Sequence, residues 1–276
     1  MPWAPELFSP PALEQVRKRR RRERLIDMPY FDGLMTGETD ALIASFAGEP
    51  EVHHPVRGRV KGVRAFRAYV DDTLDWLADR NADVRDGGHT IIKTRGFEEV
   101  VVHLDGDDGR IELPIAIVAD HRSGNRLDEL RVYYSYRALT GRHKNRTPVM
   151  QADPEARQQD VVAEHQRALA AGDVDAIVAT FESDGYAREP ARGEHVHRGH
   201  DGLRAFYTHL FSNGGGIPLQ HCAVVDNGRN CAVEYNVLRW GRTEVPPEAG
   251  VAVYERGDSG KLAAARMYDD ADPPLG

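Results

Sequence analysis

Gly37–Phe46 reads GETDALIASF and Gly172–Phe181 reads GDVDAIVATF, one pattern written twice, 135 residues apart. Five positions are identical, and Glu/Asp, Leu/Ile, Ile/Val and Ser/Thr are close swaps. The likeness continues downstream. VHHPVRGRVKGVRAFRAYV (52–70) parallels AREPARGEHVHRGHDGLRAFYTHL (187–210), with Pro55 against Pro190, Arg57 against Arg192 and Gly58 against Gly193. Phe66 matches Phe206 at an offset of 140, so the second half carries five extra residues, including much of HVHRGH (195–200). GNRLDELRVYYSY (124–136) parallels SGKLAAARMYDDA (259–271), with Arg131 against Arg266 and Tyr133 against Tyr268. A period this long is a duplicated domain, not a short solenoid repeat.

Each half lists its elements in the same order. DPEARQQDVVAEHQRALAAG (153–172) reads as a helix with Asp153 as cap, Pro154 at the first position and Gly172 as stop. Val161, Val162, Ala168 and Leu169 form its apolar stripe. The decapeptide is a second helix. A short strand ending in proline, a third helix around GLRAFYTHLF (202–211) and strands near 219–225, 230–240, 250–255 and 262–268 follow. Turn signals such as DNGR (226–229) and RGDSG (256–260) separate some of them. Helices ahead of a hairpin-rich sheet predict an α+β domain. The chain then divides into an N-terminal helical, basic extension 1–23, a first domain 24–140, a polar linker 141–153 and a second domain 154–276.

The 276 residues carry a formal charge of −8, which argues against a general nucleic-acid binder. One segment dissents, RKRRRRER (17–24), but it lacks interleaved aromatics for base stacking and is diluted by nearby acids. It reads as the solvated part of a helix begun by Ser9 and Pro10. No apolar run approaches the ~20 residues of a membrane span, and the first residues lack the charged and apolar regions of a secretory signal. The expectations are no nucleic-acid partner, no membrane and a cytoplasmic location. Cys222 and Cys231 flank DNGR and read as buried thiols on adjacent strands. His195, His197 and His200 have metal-binding atoms but no carboxylate or cysteine at a convincing spacing, so the segment reads as a lid and no metal is expected. With no GxGxxG, phosphate loop or serine elbow, no cofactor is expected.

The pattern AGDVDAIVATF…YAREPARG…RGHDGLRAFY…GKLAAARMYDD resembles the nuclear-transport-factor-2-like superfamily, particularly its SnoaL-like and ketosteroid-isomerase-like members. The likeness covers both halves, most of the chain beyond about residue 24. It implies two cystatin-like, cone-shaped α+β domains, each a curved antiparallel sheet wrapped over three helices around an apolar pocket. It also implies an intramolecular pseudo-dimer of the two copies, with a further homodimer open. Superfamily members include isomerases, polyketide cyclases, dehydratases, epoxide hydrolases and non-catalytic binding domains, so fold does not settle activity.

The resemblance nominates residues in both halves. The isomerases place a carboxylate base before a proline at the end of the first strand, where this chain has Glu189 and His54. Desolvation at a pocket wall suits such a carboxylate to take a carbon-bound proton; pairing with Arg188 or Arg192 at the surface is the alternative. The family's oxyanion-donating tyrosine maps to His165 and Tyr30, seven residues before Gly172 and Gly37, on the apolar stripe of each first helix. The second isomerase donor, a protonated aspartate, falls near Ala252 and Ala116, both apolar, which counts against a true ketosteroid isomerase. Glu234 and its counterpart His103 lie on strands expected to line the cone, Arg131 and Arg266 share a last-strand position, and Tyr207 and Trp240 offer aromatic wall. The arginines either hold an acidic substrate or pair with Glu or Asp.

The expected function is a cofactor-independent isomerase, cyclase or lyase acting on a small hydrophobic carbonyl or polyketide-like molecule. Glu189 would move the proton while His165 polarises the oxygen, with His54 and Tyr30 doing likewise in the first half. The alternatives are a non-catalytic binding or assembly module, and epoxide opening with Glu189 beside Glu234 or His165.

Overall fold

The repeated decapeptide becomes the same short helix in both halves, closed the same way. In the computed structural model, which describes residues 39–275 apart from 93, 108, 123–125 and 191–194, these helices are Thr39–Ala44 and Val174–Ala179. The Ser/Thr swap supplies the closure: Ser45 Oγ donates to the Leu42 carbonyl and Thr180 Oγ1 to the Ile177 carbonyl, both at 2.6 Å. Tyr30 and the basic run 17–24 lie outside the described residues.

The chain divides into two compact units between Tyr134 and Ser135. The first contains α1 (Thr39–Ala44), β1 (Glu51–His54), β2 (Gly58–Lys61), α2 (Val63–Ala78), β3 (Asp83–Ile91), β4 (Arg95–Gly106), β5 (Gly109–Arg122) and β6 (Arg126–Tyr133). The second contains α3 (Arg137–Thr140), α4 (Asp160–Ala171), α5 (Val174–Ala179), β7 (Phe181–Arg188), β8 (Val196–Arg198), α6 (Gly199–Leu210), β9 (Leu219–Asp226), β10 (Asn230–Trp240), β11 (Thr243–Arg256) and β12 (Leu262–Tyr268). The sheets run β2-β1-β6-β5-β4-β3 and β8-β7-β12-β11-β10-β9, one topology twice. The pairs β1–β6 and β7–β12 are parallel, and every other neighbouring pair is antiparallel. These are the expected α+β units.

Within the second unit, Cys231, Val233, Tyr235 and Val237 of β10 face the helices, where they meet Val162 and Leu169 of α4 and Leu203 and Phe206 of α6. Alternation sends Ala232, Glu234 and Asn236 to the opposite face, which is also buried. Pro246 and Pro247 fall where β10 and β11 lose register between Val237 and Arg239, a position where a missing N–H costs no ladder bond. The DNGR turn bonds itself: Asp226 accepts from Gly228 N at 2.8 Å, and Asn227 accepts from Arg229 N and Asn230 N. Cys222 and Cys231 are buried free thiols on β9 and β10, as expected.

Three expectations change. The first helix of the second half begins at Asp160, not Pro154, because Asp153 is spent on the Glu155 amide while Asp160 binds the Val162 amide and Arg256. The 141–153 stretch belongs to the second unit rather than forming a linker: Asp270 takes the Lys144 amide at 2.7 Å and Arg146 O takes the Ala249 amide at 2.8 Å. HVHRGH is strand β8 and the start of α6, not a lid.

Gly172 does stop α4, with φ 72° in the left-handed region. A side chain there would strike the backbone of Gly215 at 2.9 Å, so the glycine also lets the 215–217 loop close on the helix end, where Ile217 N donates to Leu169 O.

Candidate functional site

Strand β7 ends at Arg188, and Glu189–Pro190 carry the chain off the sheet onto the wall of a cavity of about 100 Å³. The wall is mostly apolar, with Phe206, Leu210, Ile217, Val237, Trp240 and Met267 contributing, and Glu189, His165, Tyr207, Tyr235, Tyr254 and Asp269 supply its polar groups. Two candidates named from sequence, Glu189 and His165, therefore reach one chamber, joined by Tyr207 and Trp240.

Glu189 is neither bare nor paired with Arg188. Its Oε1 accepts from His197 Nε2 at 2.7 Å, with His195 Nδ1 farther away at 3.9 Å. His197 in turn stacks on Phe206, with ring centroids 4.2 Å apart and planes 11° apart. Arg188 lies instead over the Tyr268 ring at 4.7 Å.

His165 is buried against Phe181, Tyr207 and Tyr254, and burial lowers its pKa to about 4, so the ring is neutral at pH 7. Its Nδ1 lies 3.1 Å from Thr180 Oγ1. That hydroxyl has already given its proton to Ile177 O, so it accepts here and Nδ1 carries the imidazole hydrogen. Nε2 is left as a lone pair without a partner among the described residues. This corrects the expected polarity: His165 can accept a proton but cannot donate a hydrogen bond to an oxyanion. The Tyr207 hydroxyl, which also has no hydrogen-bond partner among the described residues, is a donor available at the wall.

The carboxylate that sequence reasoning missed is Asp269, just past β12. Burial raises its pKa, and Asp270 adds to the shift. Tyr235 donates to its Oδ2 at 2.5 Å. Gly250 on β11 makes room for this pair, since a Cβ there would meet the Tyr235 ring at 2.7 Å and Asp269 Cβ at 2.8 Å. Beside it, Glu248 is pushed up to about 8 by burial first and then by Asp269 and Asp270. Its oxygens accept from Asp270 N at 2.9 Å and Asn145 Nδ2 at 3.0 Å. Glu248 and Asp270 line a second cavity of about 220 Å³ with His143, whose pKa is raised chiefly by its hydrogen bond to Asp270. The signal in the sequence was the DD of MYDDA, standing where the first half has Tyr134 and Ser135.

Four other candidates are not among the residues that line this cavity. Glu234 points to the opposite face of β10. Arg266 donates to Tyr186 OH and Glu255, each at 3.2 Å, so its charge is used within the sheet. In the first unit Arg131, fully buried, donates to Asp120 at 2.7 Å and to Glu129. His103 stands 3.8 Å from its cross-strand neighbour Glu112. For Arg266, Arg131 and His103 an acidic residue on the adjacent strand lies within 4 Å.

His54 is enclosed. Its Nδ1 accepts from the amides of Val56 and Arg57 at 3.2 and 3.1 Å, and Nε2 lies 3.4 Å from Tyr134 OH. Nearby, Glu51, His53 and Glu129 bring potential metal-ligand atoms within 4.8 Å of one another. Their charge is already met by Lys61 at 2.7 Å, Arg59 and Arg131, and Arg59 above all holds Glu51 at about 2.

Residues 162–265 match the model of the SnoaL-like domain family. No curated protein matches the chain. Similar solved structures include a cystatin-fold protein from Novosphingobium aromaticivorans, 18% identical, covering 40% of this chain and 98% of its own, with a TM-score of 0.34. A putative polyketide cyclase from Sinorhizobium meliloti is 21% identical over 40% of this chain and 94% of its own, TM-score 0.34. An NTF2-like protein from Anabaena variabilis is 21% identical over 41% and 86%, TM-score 0.33. The match lies within the second unit, and the first unit repeats that unit's strand order in full.

Proposed function

We propose that the second unit is a cofactor-independent acid–base catalyst for a small, largely apolar carbonyl compound, working as an isomerase, cyclase or lyase. The observation that carries this reading is one apolar chamber whose burial pushes its titratable groups in opposite directions: it raises the Asp269 carboxyl and lowers the His165 imidazole, which stays neutral with a lone pair. Environments that push titratable groups apart are what proton transfer between substrate atoms requires. Glu189, on the same wall, removes the carbon-bound proton. Tyr207 donates to the oxygen on which negative charge develops. His197 positions Glu189 through the 2.7 Å bond, and its stacking on Phe206 keeps it in place. Polyketide-like substrates come into view through the SnoaL-like domain match, and the apolar aromatic wall suits them.

The test is solvent deuterium incorporation, followed by NMR, into a panel of cyclic ketones and enones. Wild type is expected to exchange, and Glu189→Gln to lose about 100-fold or more of the rate, the scale of a general base. Exchange unchanged in Glu189→Gln removes Glu189 from the reaction. Tight ketone binding without exchange in wild type favours a second reading, a binding module, which the engagement of Glu189 by His197 supports.

A further inference from the structure

A polar line runs from an outer groove to a cavity tyrosine that the reaction above does not use. His221 on β9 lines a groove of about 530 Å³ together with Gln166 of α4 and the stretch around Asp153 and Arg157. His221 Nε2 is 3.2 Å from Gln166 Oε1, and Gln166 Nε2 donates to the hydroxyl of Tyr254, whose ring lines the cavity. Gln166 and Tyr254 are both buried, so neither trades this partner for bulk water.

The chemistry of the amide makes the line directional. A carboxamide accepts at one end and donates at the other. With Oε1 engaged by the His221 N–H, the amino end faces Tyr254 and occupies a lone pair of the phenol. The single phenolic proton is then directed away from Gln166, and the ring, which lines the cavity, packs 5.3 Å from His165. Turning the amide over would reverse the phenol and present a lone pair instead.

We propose that His221 and Gln166 are positioning residues that fix Tyr254 as a hydrogen-bond donor to an oxyanion in the cavity. This rests on the reading of the cavity as a site for a carbonyl compound. It adds a donor beside Tyr207 and places its control outside the chamber, in the groove.

The experiment uses the full chain and two probes of matched shape, 4-nitrophenol and nitrobenzene. The visible band of 4-nitrophenol reports its ionisation, so a pH titration gives the pKa of the bound probe. Removing a donor to the phenolate is expected to raise that pKa by about one unit, a tenfold loss, in Tyr254→Phe. Gln166→Glu, which offers only acceptors, is expected to do the same, and to add nothing in a Tyr254→Phe background. His221→Phe is expected to shift the pKa in the same direction by less. Nitrobenzene affinity stays within about twofold of wild type throughout, since a neutral ligand has no oxyanion to lose. Gln166→Leu, which brings no charge, stands in if Gln166→Glu fails to bind nitrobenzene. A bound-probe pKa unmoved by Tyr254→Phe, or Gln166 effects that persist undiminished without the tyrosine hydroxyl, overturns the proposal. No turnover is measured, so failure of the line leaves the acid–base reading standing, and absence of deuterium exchange leaves the line standing.

Discussion

His54 and Glu189 hold the same place in their units, the residue before the proline that follows the first strand, yet the units use them differently. His54 is closed in by two backbone amides and the Tyr134 hydroxyl. Glu189 meets one histidine and lines a cavity. The neighbours changed together: where the first unit has Tyr134 reaching His54, the repeat alignment puts Asp269 in the second, bound to Tyr235. A duplicated backbone thus keeps strand order and helix closure, while two or three side-chain partners decide whether one position is structural or chemical.

The sharpest way to break this comparison is to remove both residues and measure stability. His54→Leu strands two amides and a buried phenol, and is expected to lower unfolding free energy by about 3 kcal/mol. Glu189→Leu gives up a partly exposed hydrogen bond to His197 and is expected to cost less than about 1 kcal/mol. Urea denaturation of the two variants checks the contrast; equal losses would end the distinction.

Acid sharpens it further. His165 has a free-state pKa of 6.5 and is held at about 4 when folded, so the unfolded chain binds more protons between these values. Stability from this group is complete above pH 6.5 and is lost as pH falls toward 4, by about 3 kcal/mol in all. His121, also lowered to about 4 by burial, makes the first unit acid-sensitive in the same direction. Urea midpoints between pH 7 and pH 4.5 are expected to fall in wild type, and less steeply in His165→Asn and in His121→Asn.

A smaller effect is expected at Gly250. An added methyl displaces the Tyr235 ring from Asp269, at about 1–2 kcal/mol by the usual cost of overpacking. Gly250→Ala is expected to lower thermal stability modestly and to weaken ketone affinity, read by calorimetry. An unchanged ketone affinity would detach the Tyr235–Asp269 pair from ligand binding.

The architecture was written locally. Repeated decapeptides, DNGR, the glycine stop at Gly172 and alternating strands at 230–240 and 262–268 each specify their element through contacts a few residues away. Helix and strand periodicity turn His165, Tyr207 and Trp240 inward, whereas Glu189 and His165 stand out as chemical groups only through the family resemblance. Other outcomes depended on residues distant in sequence. The Thr180 hydroxyl turned His165 from donor to acceptor, and His197 rather than an arginine took Glu189. Burial first, and then Asp270, raised the Asp269 carboxyl against the Tyr235 hydrogen bond that lowers it. Periodicity says which way a side chain points. Protonation and hydrogen-bond polarity depend on desolvation and on the last unfilled lone pair, and only the folded packing sets those.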